Sequence, residues 1–317
     1  MVPRVLVVAQ LPIEWLAPLH TAGMDVHLAP DLARDHDALC AAAADAEAIV
    51  SPLSVLIDAK VLSAGARGRL RVVANIAVGY DNIDVDAARR HHVAVCNTPG
   101  VLDSATSDVA MLLILCACRG ATAAQTSLRQ GEWRGWELTG FLGKDLAGAR
   151  LGLVGFGGIG HAVAARAAAF GMQVRHHTHR PTGHPGYVPD LDNLLSDSEV
   201  VSIHVPLSPE TFGLFNAERI GRMPRGSVLV NSARGGIVDE DALVDALVSG
   251  HLAGAGLDVF DGEPKINPRL LSAPRLTLLP HIGSATWATR QAMTQLACRG
   301  VVEALADRIP ANLVTTG

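Results

Sequence analysis

Short runs of apolar residues alternate with longer periodic stretches along the whole chain. Residues 4–9, 25–29, 47–51, 70–76 and 93–97 read as strands, with Ala- or Leu-rich segments of helical period between them. The pattern continues through 150–154, 172–177, 200–205, 227–231, 254–259 and 276–279. Continuous Val/Ile/Leu runs suit strands covered on both faces, as in parallel sheets with crossover helices. Their alternation with helices predicts a doubly wound α/β architecture. Eleven strands exceed one ordinary open sheet, so two sheets are expected. The turn Thr98-Pro-Gly100, ahead of a long helical stretch from about Asp103, marks the expected joint.

The chain has 317 residues, 49% of them hydrophobic and 18% charged, which excludes a disordered chain and suits two domains. Acidic residues outnumber basic ones, 31 to 26, and no basic run of about five or more occurs, so a nucleic-acid partner is not expected. Five cysteines are too few for a disulfide scaffold. Cys116 and Cys118 lie in an apolar helix-like run where residues two apart face differently, so they read as buried thiols rather than a metal pair. The apolar run after Arg4 is a strand and no signal peptide. The longest uncharged apolar stretch, 109–118, is about half a membrane span. A cytoplasmic protein without membrane contact is therefore expected.

Leu151-Gly-Leu-Val-Gly155-Phe-Gly157-Gly-Ile-Gly160 carries GxGxxG between a strand and a helix former, His161–Phe170, that stops at Gly171. In this setting Gly155 permits the tight turn, Gly157 lets backbone approach a pyrophosphate, and Gly160 lets helix and strand pack closely. Phe156, Gly158 and Ile159 complete the turn, whose free amides would hold phosphates. The next strand ends in Thr178 where an NAD site usually has an acid, and His179 and Arg180 follow. A threonine and two basic groups suit a 2′-phosphate, so NADP(H) is expected over NAD(H) as second choice. His176, His177 and His179 cluster, but on a strand only His177 and His179 share a face, and with no third ligand at sensible spacing they predict no metal site.

Three further segments lie at strand ends, where open α/β sheets bind ligands. They are Asn231-Ser-Ala-Arg234-Gly-Gly, Asp258-Val-Phe-Asp-Gly-Glu263 and Leu279-Pro-His281-Ile-Gly-Ser284. Arg234 can hold a carboxylate bidentately. His281 can exchange a proton with a hydroxyl or carbonyl oxygen, and Glu263 can orient its imidazole.

With these motifs in order, the sequence resembles the D-isomer-specific 2-hydroxyacid dehydrogenase family. The likeness runs from Asn75-Ile-Ala-Val-Gly-Tyr-Asp-Asn-Ile-Asp84 through Asn97-Thr-Pro-Gly100, the glycine turn and His204-Val-Pro-Leu to Ser284-Ala-Thr286. The resemblance implies two Rossmann-like domains, the smaller flavodoxin-like and discontinuous: residues 1–98 with 287–317 for substrate, and 99–286 for the dinucleotide. It implies hydride transfer between a nicotinamide and C2 of a 2-oxo or 2-hydroxy acid, and homodimerisation through the coenzyme domains. Arg234, Glu263 and His281 would be catalytic. Leu53, Val78, Gly79, Arg234 and Ser284 would meet the substrate. Thr106, His204, Val205, Pro206, Ser232, Ala233, Arg234, Asp258, His281 and Gly283 would join the glycine turn around the cofactor. Within the family, Trp133-Arg-Gly-Trp136 and Leu53-Ser54 are similar to segments of glyoxylate and hydroxypyruvate reductases. Related readings are a 2-ketogluconate or aryl-pyruvate reductase, or a dinucleotide-sensing interaction protein without chemistry.

Overall fold

A computed structural model describes residues 2–314. All eleven expected strands are present. β1 (Arg4–Val7), β2 (Asp25–Leu28), β3 (Ala48–Pro52), β4 (Val72–Ile76) and β5 (Ala94–Cys96) form one parallel sheet in the order β2-β1-β3-β4-β5. This is the order of flavodoxin-like doubly wound folds. β4 is buried along its whole length, and edge strand β2 is mostly exposed and carries Asp25 and His27, as an edge facing water requires.

β6 (Arg150–Val154), β7 (Gln173–His177), β8 (Val200–Ile203), β9 (Ser227–Asn231), β10 (Leu252–Leu257) and β11 (Leu276–Leu278) form the second sheet, ordered β11-β10-β9-β8-β6-β7 and parallel throughout. A single parallel bridge between His176 and Tyr187 adds one further rung outside β7, a vestige of the third strand of a Rossmann sheet. Alternate residues of β9 feed the two faces of this sheet. Leu229 packs with Val201, Phe215 and Leu243, whereas Val228 and Val230 pack with Leu113, Ile114 and Leu153.

The chain divides into two compact units, Met1–Leu102 with Ala285–Gly317, and Asp103–Ser284. These units part at 102/103 and 284/285, within a few residues of the expected 98/99 and 286/287. Thr98 N–H donates to the Ala77 carbonyl, keeping the segment after β5 with the first sheet. At the other end Gly283 is tied to Asp258 of the second unit, and Thr286 caps the helix Trp287–Leu305 of the first. The C-terminal segment returns to β5 through an antiparallel bridge, Cys96 to Leu313, and Val314 N–H donates to the Val95 carbonyl. Buried Asn312 fastens it by donating to the carbonyls of Asn97 and Leu296. Of the paired cysteines, Cys118 is buried and burial pushes its thiol up to about 11, but Cys116 is only half-buried.

Candidate active site

β6 delivers the chain into the glycine turn, and the helix Gly158–Ala169 leaves it. Gly155 has φ +100°, and a Cβ there would lie 2.5 Å from the His204 carbonyl oxygen, so only glycine fits. A Cβ on Gly160 would stand 2.5 Å from the Gly155 oxygen, which is the close helix–strand packing expected. A Cβ on Gly157 would meet nothing within 4 Å. The backbone at Gly157 is therefore open on the side where the first amides of the helix emerge, the geometry that accepts an anion. Gly158 packs under the Asp103 carboxylate, and Phe156 and Ile159 pack against the core beneath the turn. Phe156 also stacks on His176, ring centroids 3.7 Å apart.

At the end of β7 the Thr178 hydroxyl donates to the Arg180 carbonyl at 2.6 Å. In this conformation the hydroxyl serves its own turn, and His179 and Arg180 beside it are exposed. After β8, His204 N–H donates to the Val154 carbonyl, and its ring bonds the Ser202 hydroxyl at 2.9 Å. Burial pushes the His204 imidazole down to about 4, which keeps it neutral. Val205 packs against the core, and the Pro206 carbonyl accepts from the Thr211 hydroxyl. The buried Ser232 hydroxyl has no hydrogen-bond partner. That orphaned hydroxyl and the open glycine cradle fit a dinucleotide.

β9, β10 and β11 are neighbours and parallel, so the segments after them emerge at the same sheet end. Beyond β9, Asn231 folds the loop back. Its amide donates to the Arg234 carbonyl at 2.8 Å and its oxygen accepts from Ala233 N–H at 3.0 Å, which holds half-buried Arg234 at the turn. Beyond β10, Glu263 uses both oxygens. One accepts from Phe260 N–H at 2.8 Å, the other meets His281 Nδ1 at 2.8 Å, and the two side chains are 30% and 25% exposed. Burial would raise the Glu263 carboxyl, but the His281 hydrogen bond, the Phe260 amide and the positive charges of His281 and Arg234 outweigh it. The group is held below the ordinary carboxylate value.

His281 itself sits at φ +52°, in the left-handed region. Histidine is enriched there relative to most residues but still strained. The loop is pinned immediately downstream: buried Asp258 accepts Ile282 N–H on one oxygen and Gly283 N–H on the other, both at 2.8 Å. Burial pushes the Asp258 carboxyl up against the pull of those two amides. Each oxygen thus accepts one amide of the loop and keeps a lone pair for a further donor. Thr106 lines the same spot, its Cγ2 3.3 Å from where a Gly283 Cβ would be, and Ser284 follows half-buried.

In the first unit, Leu53 is half-buried in the turn after β3. The loop after β4 carries Val78 and Gly79. The Ala77 carbonyl accepts from Thr98 N–H, and the Val78 carbonyl accepts from the Asn97 amide at 2.8 Å. In a trans peptide the N–H opposes the carbonyl, so Val78 and Gly79 turn their N–H groups away from β5, side by side. Asn75 fixes the next carbonyl, that of Gly79, at 2.8 Å. Two parallel amides of this kind make a small anion-accepting edge. Asn75, Asn97, Asn231 and Glu240 were not singled out from the sequence. Their signal was a polar residue at a strand end or first helical turn amid apolar neighbours.

Residues 111–283 match the family described as D-isomer specific 2-hydroxyacid dehydrogenase, NAD binding domain. The chain is 43% identical over 280 residues to the glyoxylate reductase of Thermococcus onnurineus, covering 85% of this chain and 83% of that protein. A Thermus thermophilus protein of known structure superposes with TM-score 0.90 at 40% identity, over 98% of this chain and 100% of the other. The NADPH-dependent glyoxylate/hydroxypyruvate reductase of Sinorhizobium meliloti, solved with NADP and malonate, matches at TM-score 0.85 and 32% identity over 99% of this chain and 97% of its own.

Proposed function

The chain belongs to the D-isomer-specific 2-hydroxyacid dehydrogenase family, and from that premise we propose that it reduces glyoxylate and hydroxypyruvate to the D-configured 2-hydroxy acids with NADPH. As a member it is an NAD(P)-dependent oxidoreductase acting on a small 2-oxo acid. The observation that carries its acid–base chemistry is the 2.8 Å His281–Glu263 pair at the strand ends beside Arg234. A bound nicotinamide supplies the hydride for the carbonyl carbon. The protein's own groups do the rest. Arg234 grips the substrate carboxylate with its planar fork. His281, protonated, gives its proton to the oxygen that becomes the hydroxyl. Glu263, kept ionised by its surroundings, turns the other ring nitrogen toward itself and so aims Nε2. The paired amides of Val78 and Gly79 suit a carboxylate oxygen in the same chemical sense.

For the cofactor, exposed His179 and Arg180 and the lack of a carboxylate at position 178 favour the 2′-phosphate. The glycine turn would hold the pyrophosphate, and Ser232, Ala233, His204, Val205 and Pro206 would border the remainder. A homodimer is part of the proposal, supported by the exposed apolar side chains Trp133, Trp136, Leu138, Phe141 and Leu142 on one short segment. The relatives named glyoxylate reductase support the small substrate.

Initial rates with NADPH and NADH, each against glyoxylate, hydroxypyruvate, 2-ketogluconate and a bulky aryl pyruvate, test this. Fast NADPH oxidation with the two small acids is expected. Preference for the sugar or aryl acid would reject the substrate, and equal efficiency with both cofactors would reject the NADPH preference. Dinucleotide binding with no turnover of any acid would favour a sensing role.

A further inference from the structure

Glu240 is the first residue of the helix Glu240–Val248, whose N-cap is Asp239. A carboxylate in a first helical turn is ordinary and normally points to water, where it favours the helix dipole. Glu240 is instead buried, 9% exposed, and its Oε1 accepts from Asp261 N–H at 2.8 Å. Burial, with Asp261 and Asp241 nearby, pushes its carboxyl up despite the hydrogen bonds of the Asp261 amide and Asn267. A buried acid held at that disadvantage calls for a reason other than helix capping.

The reason lies in what Asp261 adjoins. Phe260 N–H, one residue earlier, is bonded by Glu263, so residues 260–263 form a turn tied at Phe260 by Glu263 and at Asp261 by Glu240. The same turn is the surface against which the Arg234 loop packs. A Cβ on Gly235 would fall 1.8 Å from the Phe260 carbonyl carbon, so backbone rests directly on backbone there. Arg234 is the residue immediately before that contact, and its charge reaches Glu263. The proton-handling pair and the carboxylate-binding arginine thus share one short piece of chain, and Glu240 holds its outer amide.

We infer that Glu240 is a positioning residue for the acid–base pair, fixing through the Asp261 amide the turn that sets Glu263 against His281 and Arg234 beside both. The inference rests on the roles proposed above for His281, Glu263 and Arg234. Glu240 touches none of the reacting atoms. Its carboxylate acts as a fixed hydrogen-bond acceptor, so the oxygen's reach matters and its charge does not.

Three variants of the holoenzyme separate these. Glu240→Ala removes the acceptor, Glu240→Asp keeps the charge but falls one methylene short of Asp261, and Glu240→Gln keeps an acceptor oxygen in place without charge. Displacement of a catalytic group by about 1 Å costs on the order of 10²-fold. Glu240→Ala and Glu240→Asp should therefore lose about 10–100-fold in kcat, with the dissociation constant for NADPH unchanged. Their acid limb of kcat against pH should move to higher pH, because the loosened turn weakens the hydrogen bonds of His281 and of the Phe260 amide that hold Glu263 ionised. Glu240→Gln should keep both kcat and limb near wild type. A residue that matters only for helix stability would lower the melting temperature and leave the limb in place. Wild-type kcat and limb in Glu240→Asp, or a Glu240→Gln as impaired as Glu240→Ala, would overturn the inference. If Glu240→Ala does not fold, the Asp and Gln pair alone decides it. His281→Ala runs alongside: if it retains turnover, the reading of the site falls and this inference with it. If His281→Ala loses turnover while Glu240→Asp retains kcat and limb, only the role of Glu240 falls.

Discussion

Replacing Asp258 by asparagine should separate the function of the second unit from its stability. The side chain is 1% exposed and nearly isosteric with asparagine, so no cavity opens. Its two oxygens accept from Ile282 and Gly283, each at 2.8 Å. An amide can satisfy one of these donors, and its NH2 then faces the other N–H. One charge-assisted hydrogen bond is lost, about 1.5–3 kcal/mol. Against this, burial disfavours the charged form of Asp258, and removing that charge relieves a desolvation penalty of several kcal/mol. The two effects oppose each other at similar size, so stability should change by less than about 1.5 kcal/mol, a melting shift under about 6 °C for a unit of this length. The loop does not escape so lightly. His281 sits one residue upstream at φ +52°, a conformation that costs roughly 1–2 kcal/mol and is held by the two amide bonds. Released at one of them, the backbone relaxes toward negative φ and swings the imidazole away from Glu263. A fall in kcat of about 10²-fold is expected. Thermal melting and steady-state kinetics on the same preparation give both numbers. Wild-type kcat, or a melting temperature lowered by more than about 10 °C with kcat intact, would refute the reasoning.

Gly157→Ala and Gly160→Ala should behave oppositely. The first meets open space and should leave the melting temperature unchanged while weakening dinucleotide binding by calorimetry; the second puts a methyl 2.5 Å from the Gly155 oxygen and should cost about 1–3 kcal/mol in urea unfolding. Because Glu263 is held below its unfolded value of about 4.3, its stabilising interactions are fully present above that pH and are lost as pH falls through the lower folded value. The acid limb of kcat should therefore lie below about pH 4.3, and Glu263→Gln should abolish it. Asn312→Ala strips the donors from two carbonyls, Asn97 and Leu296, and should destabilise the first unit by about 2–4 kcal/mol in chemical denaturation.

The strands were legible because a parallel sheet buries both faces, which writes a continuous apolar run into the sequence. Their ends were less so: Leu70 and Val93 are apolar, but their amides close the preceding turns onto Gly65 and Ala88 rather than joining β4 and β5. Sheet order left no local mark, since Val72 and Val228 look alike whichever strand lies beside them. The Arg, Glu and His of the site were visible through their motifs. The acceptors that hold those loops were not, because Asn231 and Glu240 act through backbone amides of residues that any side chain could occupy. Thr178 shows a further limit: the sequence supplies a hydroxyl, but only the fold says that it bonds the Arg180 carbonyl.

The return of the C-terminal segment to β5 has a consequence for biosynthesis. The second unit is one uninterrupted stretch of chain, 103–284, whereas the first needs residues from both ends. Chains grow at roughly 5–20 residues per second, so the early strands wait many seconds on the ribosome for the helix Trp287–Leu305 and the rung at Leu313. During that interval the outer edge of β5 and the apolar face awaiting that helix stay uncovered, open to other chains. A nascent polypeptide of this design passes its period of greatest exposure with its dinucleotide-binding half already able to fold, and a chaperone would engage it at the amino-terminal strands.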